Sequence, residues 1–308
     1  MKGIFAASVT PVDSDGEISH VRLAAHLRWL LHHGCHGVAL FGTTGEAPSF
    51  SVAERQAALE AVLRRGVAPE RILLGIGCCA HADTLALARH GLDAGVTRML
   101  MLPPFYFKDV PEEGVFRAFA ELIEAVASDR LQLVLYHFPR MSMVPIARPV
   151  IERLLGRYPD TVRGIKDSSG DWEHTRGLIA AFPGFSVFSG SDMHLLRNLQ
   201  AGGAGTISAG ANLACASSRD VFDGVARGDS AAAERAMQCV AAVRTVLGRH
   251  PMIPAIKHVI AEGTRDPVWD SVRPPLVELD AGAGSALVRE LETAGYVYDP
   301  EAYAAVSA

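Results

Sequence analysis

Short apolar runs alternate with amphipathic segments along the first two thirds of the chain. The runs are almost continuously apolar, a pattern typical of parallel strands that are covered on both faces. We predict eight strands from them, at residues 3–12, 37–42, 71–77, 98–103, 132–139, 162–169, 185–191 and 205–211.

The segments between these runs carry helix signals. Segment 21–33 places four leucines on one stripe, as expected for a helix that packs on a core. Ser51, with Glu54 three residues later, forms a capping box, and Gly66 ends that helix. A third helix is predicted to begin near Pro111.

This alternation predicts an α/β fold, a TIM (β/α)8 barrel over residues 1–222, followed by a helical region over residues 223–308 that packs on the barrel. The helical region has a predicted break around Pro274 and Pro275. An open doubly wound sheet would show the same alternation. The barrel is favoured because no glycine-rich dinucleotide fingerprint follows the first strand, and because candidate reactive residues follow several different strands.

The composition is that of a globular protein of 308 residues, 49% hydrophobic and 20% charged. A net charge of −5 gives no sign of nucleic acid or of an anionic membrane as a partner. No apolar run reaches the roughly 18 residues of a membrane span. The N-terminus lacks the features of a secretory signal, so a cytoplasmic location is the default expectation. Five irregularly spaced cysteines fit reduced thiols better than a disulfide framework.

Lys166 stands in the apolar run VRGIKDSSG, in a chain where only four of the 29 Lys and Arg residues are lysines. Burial disfavours the ammonium form of a lysine, and a neutral amine can attack a ketone to form a Schiff base. The imine is an electron sink for making or breaking the adjacent C–C bond. The alternative is a strand-end lysine that reaches solvent or pairs with Asp167.

The sequence FGTTGEA follows the second predicted strand. Gly42 and a second glycine let the backbone approach a ligand, while Thr43 and Thr44 offer hydroxyls and amides to a small carboxylate or phosphate. The spacing and the lysine of a P-loop are absent. A purely structural strand-to-helix turn is the alternative.

Two tyrosines follow other strands. Tyr136 ends the fifth strand and could relay a proton across the mouth of a barrel, or lie half-buried with its hydroxyl in water. Tyr106 follows the fourth strand and allows the same two interpretations. The run HHGCH closes a helix without a regular ligand spacing, so we predict no metal site there.

Three motifs together resemble one family. GTTGE after the second strand, the tyrosine of LYHFP after the fifth and GIKDSSGD after the sixth resemble, in that order, the dihydrodipicolinate synthase / N-acetylneuraminate lyase family. The resemblance implies a class I aldolase or lyase that forms a Schiff base with pyruvate or another 2-oxo acid and takes an aldehyde as its second partner. It also implies a homotetramer, built as a dimer of dimers, that needs no metal or organic cofactor.

The resemblance implies roles for individual residues. Lys166 matches the imine-forming lysine, and Tyr136 matches the tyrosine that shuttles protons. Thr43 matches the hydroxyl that links this tyrosine to a second one, Tyr106, which a neighbouring subunit contributes in synthase-like members. Thr44 resembles the group that holds the pyruvate carboxylate.

Further matched positions concern the substrate. Ile207 matches a position whose backbone borders the pyruvate site. Synthases that use aspartate semialdehyde carry an arginine where this chain has Met141, and Arg140 falls one residue early. The Gly-x-Asp-Glu motif of sialic acid lyases keeps Gly190 and Asp192 but ends in methionine here. We therefore expect an intact pyruvate half and a divergent half for the second substrate.

The sequence thus predicts a Schiff-base lyase or aldolase that makes or cleaves a 2-oxo acid. Its expected catalytic residues are Lys166, Tyr136, Thr43 and Tyr106, and its expected substrate-binding residues are Thr44, Gly42, Ile207, Gly190, Asp192 and Arg140. Three alternatives stay open. They are a true 4-hydroxy-tetrahydrodipicolinate synthase in which Arg140 binds the semialdehyde carboxylate, a dehydratase that uses the same imine, and a barrel that binds an oxo acid without turning it over.

Overall fold

Eight parallel strands close into a barrel in the computed structural model, which describes residues 1–298. The strands are β1 (Gly3–Ala7), β2 (Gly37–Leu40), β3 (Ile72–Gly75), β4 (Arg98–Met101), β5 (Gln132–His137), β6 (Val162–Asp167), β7 (Ser186–Ser189) and β8 (Gly205–Ser208). Each strand pairs with the next along the chain, and β1 pairs with β8. The predicted TIM barrel is therefore confirmed, and the closure excludes the open doubly wound sheet.

Alternate strand positions face opposite sides of this sheet. One set, which includes Phe5, Leu73, Val134 and Ile207, packs together inside the barrel, while the other set packs against the helices. Phe5 and Phe188 make an edge contact inside the barrel, with 5.7 Å between ring centroids. The interior is a filled core and not a channel, so a ligand site must lie at an end of the barrel.

The three helices between strands whose positions were predicted begin close to those positions. The helices between the strands are α1 (His20–His32), α2 (Val52–Arg64), α3 (His81–Asp93), α4 (Glu112–Val126), α5 (Pro139–Ser142), α6 (Arg148–Arg157), α7 (Trp172–Ala181) and α8 (Leu195–Gln200). The predicted capping box of α2 is present, because Glu54 N–H donates to Ser51 Oγ and Ser51 N–H donates to the Glu54 carboxylate. None of the helices within residues 1–298 combines the length and the apolar character needed to cross a membrane.

Four α-helices follow the last strand within the described residues. They are α9 (Cys215–Arg227), α10 (Ser230–Leu247), α11 (Met252–Thr264) and α12 (Ala281–Thr293). Helix α9 runs through residue 222, so the domain boundary placed there stays a prediction, and residues 299–308 of the predicted helical region lie outside the described residues. Trp269, after α11, is fully buried and its ring centroid lies 5.2 Å from that of His26 on α1. The C-terminal helices therefore pack on the outer layer of the barrel.

Candidate active site

A cavity of about 470 Å³ opens at the carboxyl ends of the strands. We call one side of it the strand-end wall, which consists of Thr43, Thr44, Tyr136, Lys166, Ser168, Gly170, Gly190, Ser191, Asp192 and Ala209. We call the other side the helical wall, which consists of Phe138, Arg140, Met141, Arg244, residues 251–254 and Leu276. This is the end at which TIM-barrel enzymes carry their active sites.

Lys166 is the central residue of the strand-end wall. It lies on β6, is only 4% exposed, and pairs in register with Tyr136 on β5, so both side chains point to the same face of the sheet. Lys166 Nζ lies 4.2 Å from the centroid of the Tyr136 ring. Asp167, the alternative partner for this lysine, instead bonds His174. The amine therefore faces the cavity and not a carboxylate of its own strand.

Tyr136 is held by two contacts at the end of β5. Its hydroxyl shares a hydrogen bond of 3.3 Å with Thr43 Oγ1, and its ring, 3% exposed, stacks on Phe138 with 5.7 Å between centroids. A phenol fixed beside an amine can give and take a proton there. Thr44, the next residue of the same turn, is nearly buried and also lines the cavity.

The turn that carries Thr43 and Thr44 is anchored to the C-terminal helices. Glu46, in a left-handed backbone conformation at φ 58°, accepts a bond from Lys257 Nζ at 2.5 Å, and both side chains are completely buried. Lys257 Nζ also donates to Ser271 O at 2.7 Å, and Arg273 N–H donates to the second oxygen of Glu46 at 3.1 Å. Burial lowers the pKa of Lys257. Sequence reasoning missed this pair, although Glu46 stands inside the quoted motif.

Asp192, predicted to bind substrate, lines the cavity but is already engaged inside the protein. Ser208 Oγ donates to its Oδ1 at 2.5 Å, and Gly210 N–H donates to its Oδ2 at 3.3 Å. Burial raises the pKa of this carboxyl. Packing accounts for the glycine at position 190, because a Cβ there would lie 2.0 Å from Ser168 Oγ.

Two arginines belong to the helical wall. Arg140, on α5, is exposed and makes no ion pair with any residue in the range 1–298. Arg244, in the last turn of α10, was not singled out from the sequence, because it stands among the residues of an ordinary amphipathic helix. Met141, beside Arg140, is 59% exposed.

Three of the predicted site residues do not line this cavity. Gly42 lies in a smaller adjoining cavity of about 30 Å³, which Thr43 and Tyr136 also line. Ile207 is completely buried inside the barrel. Tyr106 is 75% exposed and makes an edge contact with Phe107, so a single chain does not bring it to Thr43.

The model of the dihydrodipicolinate synthetase family matches residues 1–294. The chain belongs to this family. Among curated members, an uncharacterized DapA-like lyase from Chloroflexus aurantiacus is 39% identical over 93% of this chain and 94% of its own length. A 4-hydroxy-tetrahydrodipicolinate synthase from an Azoarcus species is 31% identical over 90% of this chain and 89% of its own length.

Solved structures of dihydrodipicolinate synthase family proteins share the fold. The synthase of Agrobacterium tumefaciens gives a TM-score of 0.84 at 31% identity and covers 95% of this chain and 99% of its own. YagE is a prophage protein of the family from E. coli K12, solved in complex with pyruvate. It gives a TM-score of 0.88 at 27% identity and covers 96% of this chain and 99% of its own. These relatives confirm the predicted family and the prediction of an enzyme of the lyase or aldolase type.

Behind the strand-end wall of this dihydrodipicolinate synthetase family protein lies a polar layer of His137, Asp167 and His174. His174 Nδ1 lies 2.9 Å from Asp167 Oδ2, to which Thr175 Oγ1 donates at 2.7 Å. Ile146 N–H donates to His137 Nδ1 at 3.1 Å. Burial lowers the pKa of His137 to about 4, whereas the hydrogen bond to Asp167 raises the pKa of His174.

The polar layer lies at the ends of the strands that carry Tyr136 and Lys166. Possible ligand atoms of His137, Asp167 and His174 lie within 4.8 Å of one another, as in a metal site. However, His137 Nδ1 accepts a backbone bond, and the other two side chains bond each other. Ring stacking links His137 to His174, with 4.7 Å between the centroids, so the layer joins the end of β5 to the residues that hold the end of β6.

Proposed function

We propose that the protein makes or cleaves a 2-oxo acid through a Schiff base at Lys166, with pyruvate as one partner and an aldehyde as the other. The observation that carries the proposal is the buried Lys166 Nζ, which faces the cavity 4.2 Å from the ring centroid of Tyr136. The family and the pyruvate complex of YagE support the choice of pyruvate.

In the synthetic direction, the neutral amine of Lys166 attacks the keto carbon of pyruvate. Uptake of one proton, which the Tyr136 hydroxyl can deliver, and loss of one water then give a protonated imine. The turn of Thr43 and Thr44 offers hydroxyls and amides to the pyruvate carboxylate. Loss of a proton from the methyl carbon then moves its electron pair toward the imine nitrogen and gives the enamine.

The enamine carbon next attacks the carbonyl carbon of the aldehyde, which forms the C–C bond and leaves an alkoxide that takes up a proton. Tyr136 is the group placed to move these protons, since Thr43 holds its hydroxyl. Addition of one water to the imine releases the product and restores the amine. Cleavage of a 2-oxo acid follows the same steps in reverse.

Sodium borohydride in the presence of pyruvate tests the imine. We expect a gain in intact mass of one reduced pyruvyl group, mapped by peptide analysis to Lys166. Lys166→Ala, checked for folding by circular dichroism, should form no adduct and should lose turnover. Lys257, which is buried but bonded to Glu46, should stay unlabelled in the same sample. Full turnover by the Lys166→Ala protein would contradict the proposal.

A synthase that uses aspartate semialdehyde is the nearest alternative, in which Arg140 on the helical wall, without an ion pair to any of residues 1–298, would bind the semialdehyde carboxylate. The Azoarcus relative is named a synthase of this kind. The relative from Chloroflexus aurantiacus, with higher identity, is named a lyase, and Met141 stands at the position where the resemblance expects the arginine. A coupled assay with pyruvate and aspartate semialdehyde separates the two, since substantial turnover would favour the synthase.

The proposal includes a homotetramer, a dimer of dimers, in the cytoplasm. Tyr106 and Phe107 are 75% and 74% exposed on the loop after β4, which leaves them available to a neighbouring subunit. The five free cysteines fit a reducing compartment. Size-exclusion chromatography with light scattering measures the assembly, and a monomer at assay concentration would contradict it.

A further inference from the structure

Arg244 brings a positive charge from α10 into the cavity. Its side chain is 30% exposed, and Nε lies 3.7 Å from Asp192 Oδ2, the single ion pair of this arginine within residues 1–298. That separation is longer than a hydrogen bond. The guanidinium therefore approaches a carboxylate but does not donate a hydrogen bond to it.

Asp192 does not depend on Arg244 for hydrogen bonds. Ser208 Oγ and Gly210 N–H already donate to its two oxygens. Burial raises the pKa of Asp192, and the hydrogen bond from Ser208 and the charge of Arg244 oppose that rise. The fork of donors on Arg244, suited to a planar carboxylate, remains available to a ligand in the cavity.

The surroundings of Arg244 indicate what the rest of that ligand is like. Apart from Arg140 and Arg244, the side chains of the helical wall are apolar, with Phe138, Met252, Ile253 and Leu276 among them. These side chains offer neither donors nor acceptors to the hydroxyls of a sugar. Nor does this wall offer a carboxylate to a ligand ammonium group. The wall fits an apolar carbon chain that ends in an anion.

We infer that Arg244 is a specificity-determining residue, which binds a carboxylate at the far end of the second substrate. That substrate is then an aldehyde acid with an unsubstituted carbon chain, in preference to a polyhydroxylated aldehyde or one that carries an ammonium group. The inference rests on the proposed Schiff base, because the imine at Lys166 fixes the near end of the substrate.

The test compares aldehydes that differ only in the far group. With saturating pyruvate, kcat/KM is measured for succinic semialdehyde and for 4-methylpentanal, in which an isopropyl group replaces the carboxylate. Aspartate semialdehyde and glyceraldehyde complete the series. The wild-type protein should prefer succinic semialdehyde to the other three.

Arg244→Met should lower kcat/KM for succinic semialdehyde by about 10- to 100-fold, mainly through KM, since it removes a charge-assisted hydrogen bond. Its kcat/KM for 4-methylpentanal should stay unchanged. Arg244→Lys should restore part of the preference. Arg235→Met is the matched control, because Arg235 lies exposed on the same helix outside the cavity.

Two kinetic outcomes would overturn the inference. An equal loss for both aldehydes in Arg244→Met would show a merely structural role beside Asp192. A loss of preference in Arg140→Met alone would assign the carboxylate to the other arginine. Borohydride trapping with pyruvate is run on every variant to separate the two proposals. Adducts without a preference for succinic semialdehyde refute only the role of Arg244, whereas absence of an adduct in the folded wild type refutes the Schiff base and the inference with it.

Discussion

The two walls of the cavity are built in different ways. The strand-end wall consists of residues fixed by the barrel itself, such as Tyr136 and Lys166, which pair in register on neighbouring strands. The helical wall is assembled from α5, α10, α11 and the segment at Leu276, which are far apart in the sequence. The chemistry proposed for Lys166 and Tyr136 thus lies on the most constrained part of the fold, while the contacts proposed for the second substrate lie on parts that can change without altering the barrel.

The walls are nevertheless connected. The buried pair of Glu46 and Lys257 joins the turn that carries Thr43 and Thr44 to helix α11. Residues 252–254 of the same helix belong to the helical wall. A disturbance of α11 should therefore reach both walls, and with them the sides proposed for pyruvate and for the aldehyde.

A change at Tyr136 is the most direct test of the strand-end wall. Tyr136→Phe keeps the ring and its stacking on Phe138 but removes the hydroxyl that bonds Thr43. We expect kcat to fall about 10²- to 10⁴-fold, the usual contribution of a general acid or base. Steady-state kinetics measure this fall, and borohydride trapping shows whether the imine still forms.

Tyr158→Phe is the matched control for that change. It removes a hydroxyl that bonds Glu124 near the surface, outside the cavity, and should leave kcat unchanged. An unaltered kcat in Tyr136→Phe would contradict the proton-transfer role.

The connection between the walls is tested at Lys257. Lys257→Met leaves the carboxylate of Glu46 completely buried without its partner. We expect the free energy of unfolding to fall by about 3–5 kcal/mol, as for other buried pairs that lose one member. Urea unfolding at neutral pH measures the loss, with the exposed Lys2→Met as control.

The double variant Glu46→Gln/Lys257→Met sharpens this test. It removes both charges, so its loss should be smaller than the sum of the two single losses, because the residues are in direct contact. Strictly additive losses would show that the pair does not act as a unit.

The strand-end wall could be predicted from the sequence because each of its parts is local. Apolar runs mark the strands, Ser51 and Glu54 mark the start of α2, and the parallel arrangement brings strand ends together at one rim. Lys166 was recognised because a lysine is unusual in such a run. Its nearness to Tyr136 then follows from barrel closure and register.

Apart from Arg140, which follows the tyrosine motif, the helical wall and its link to the strand-end wall could not be predicted in this way. Glu46 and Lys257 are 211 residues apart, and no local pattern indicates that they meet. Arg244 looks like any arginine on an amphipathic helix until α10 is placed beside the cavity. Asp192, on the strand-end wall, shows a different limit of the sequence. A motif predicts that it binds substrate, but its hydrogen bonds to Ser208 and Gly210 are visible only in the folded structure.

A smaller effect on the free energy of unfolding is expected from acid. It should act at His137, where the polar layer contacts the segment that leads into the helical wall. His137 accepts a bond from Ile146 N–H, at the end of the segment that carries Arg140 and Met141. Burial lowers the pKa of His137 from 6.5 to about 4. Between these values the unfolded chain binds a proton that the folded protein does not.

The stabilising contribution of His137 is therefore complete above pH 6.5 and is lost as the pH falls toward 4. The full loss amounts to about 3 kcal/mol. The buried His26 should act in the same direction, since its pKa is lowered to about 4. His174 acts in the opposite direction, because its pKa is raised by Asp167 and its contribution is lost as the pH rises above 6.5.

Urea unfolding in steps from neutral pH to about pH 4.5 measures these contributions. His137→Gln should remove about half of the acid-dependent loss that His26 and His137 produce together, while the exposed His32→Gln should leave the profile unchanged. If the preference for succinic semialdehyde also weakens in acid in the wild type but not in His137→Gln, protonation loosens the helical wall. An unchanged slope in His137→Gln would contradict the contribution of His137 and assign the acid sensitivity to other histidines whose pKa is lowered, such as His26.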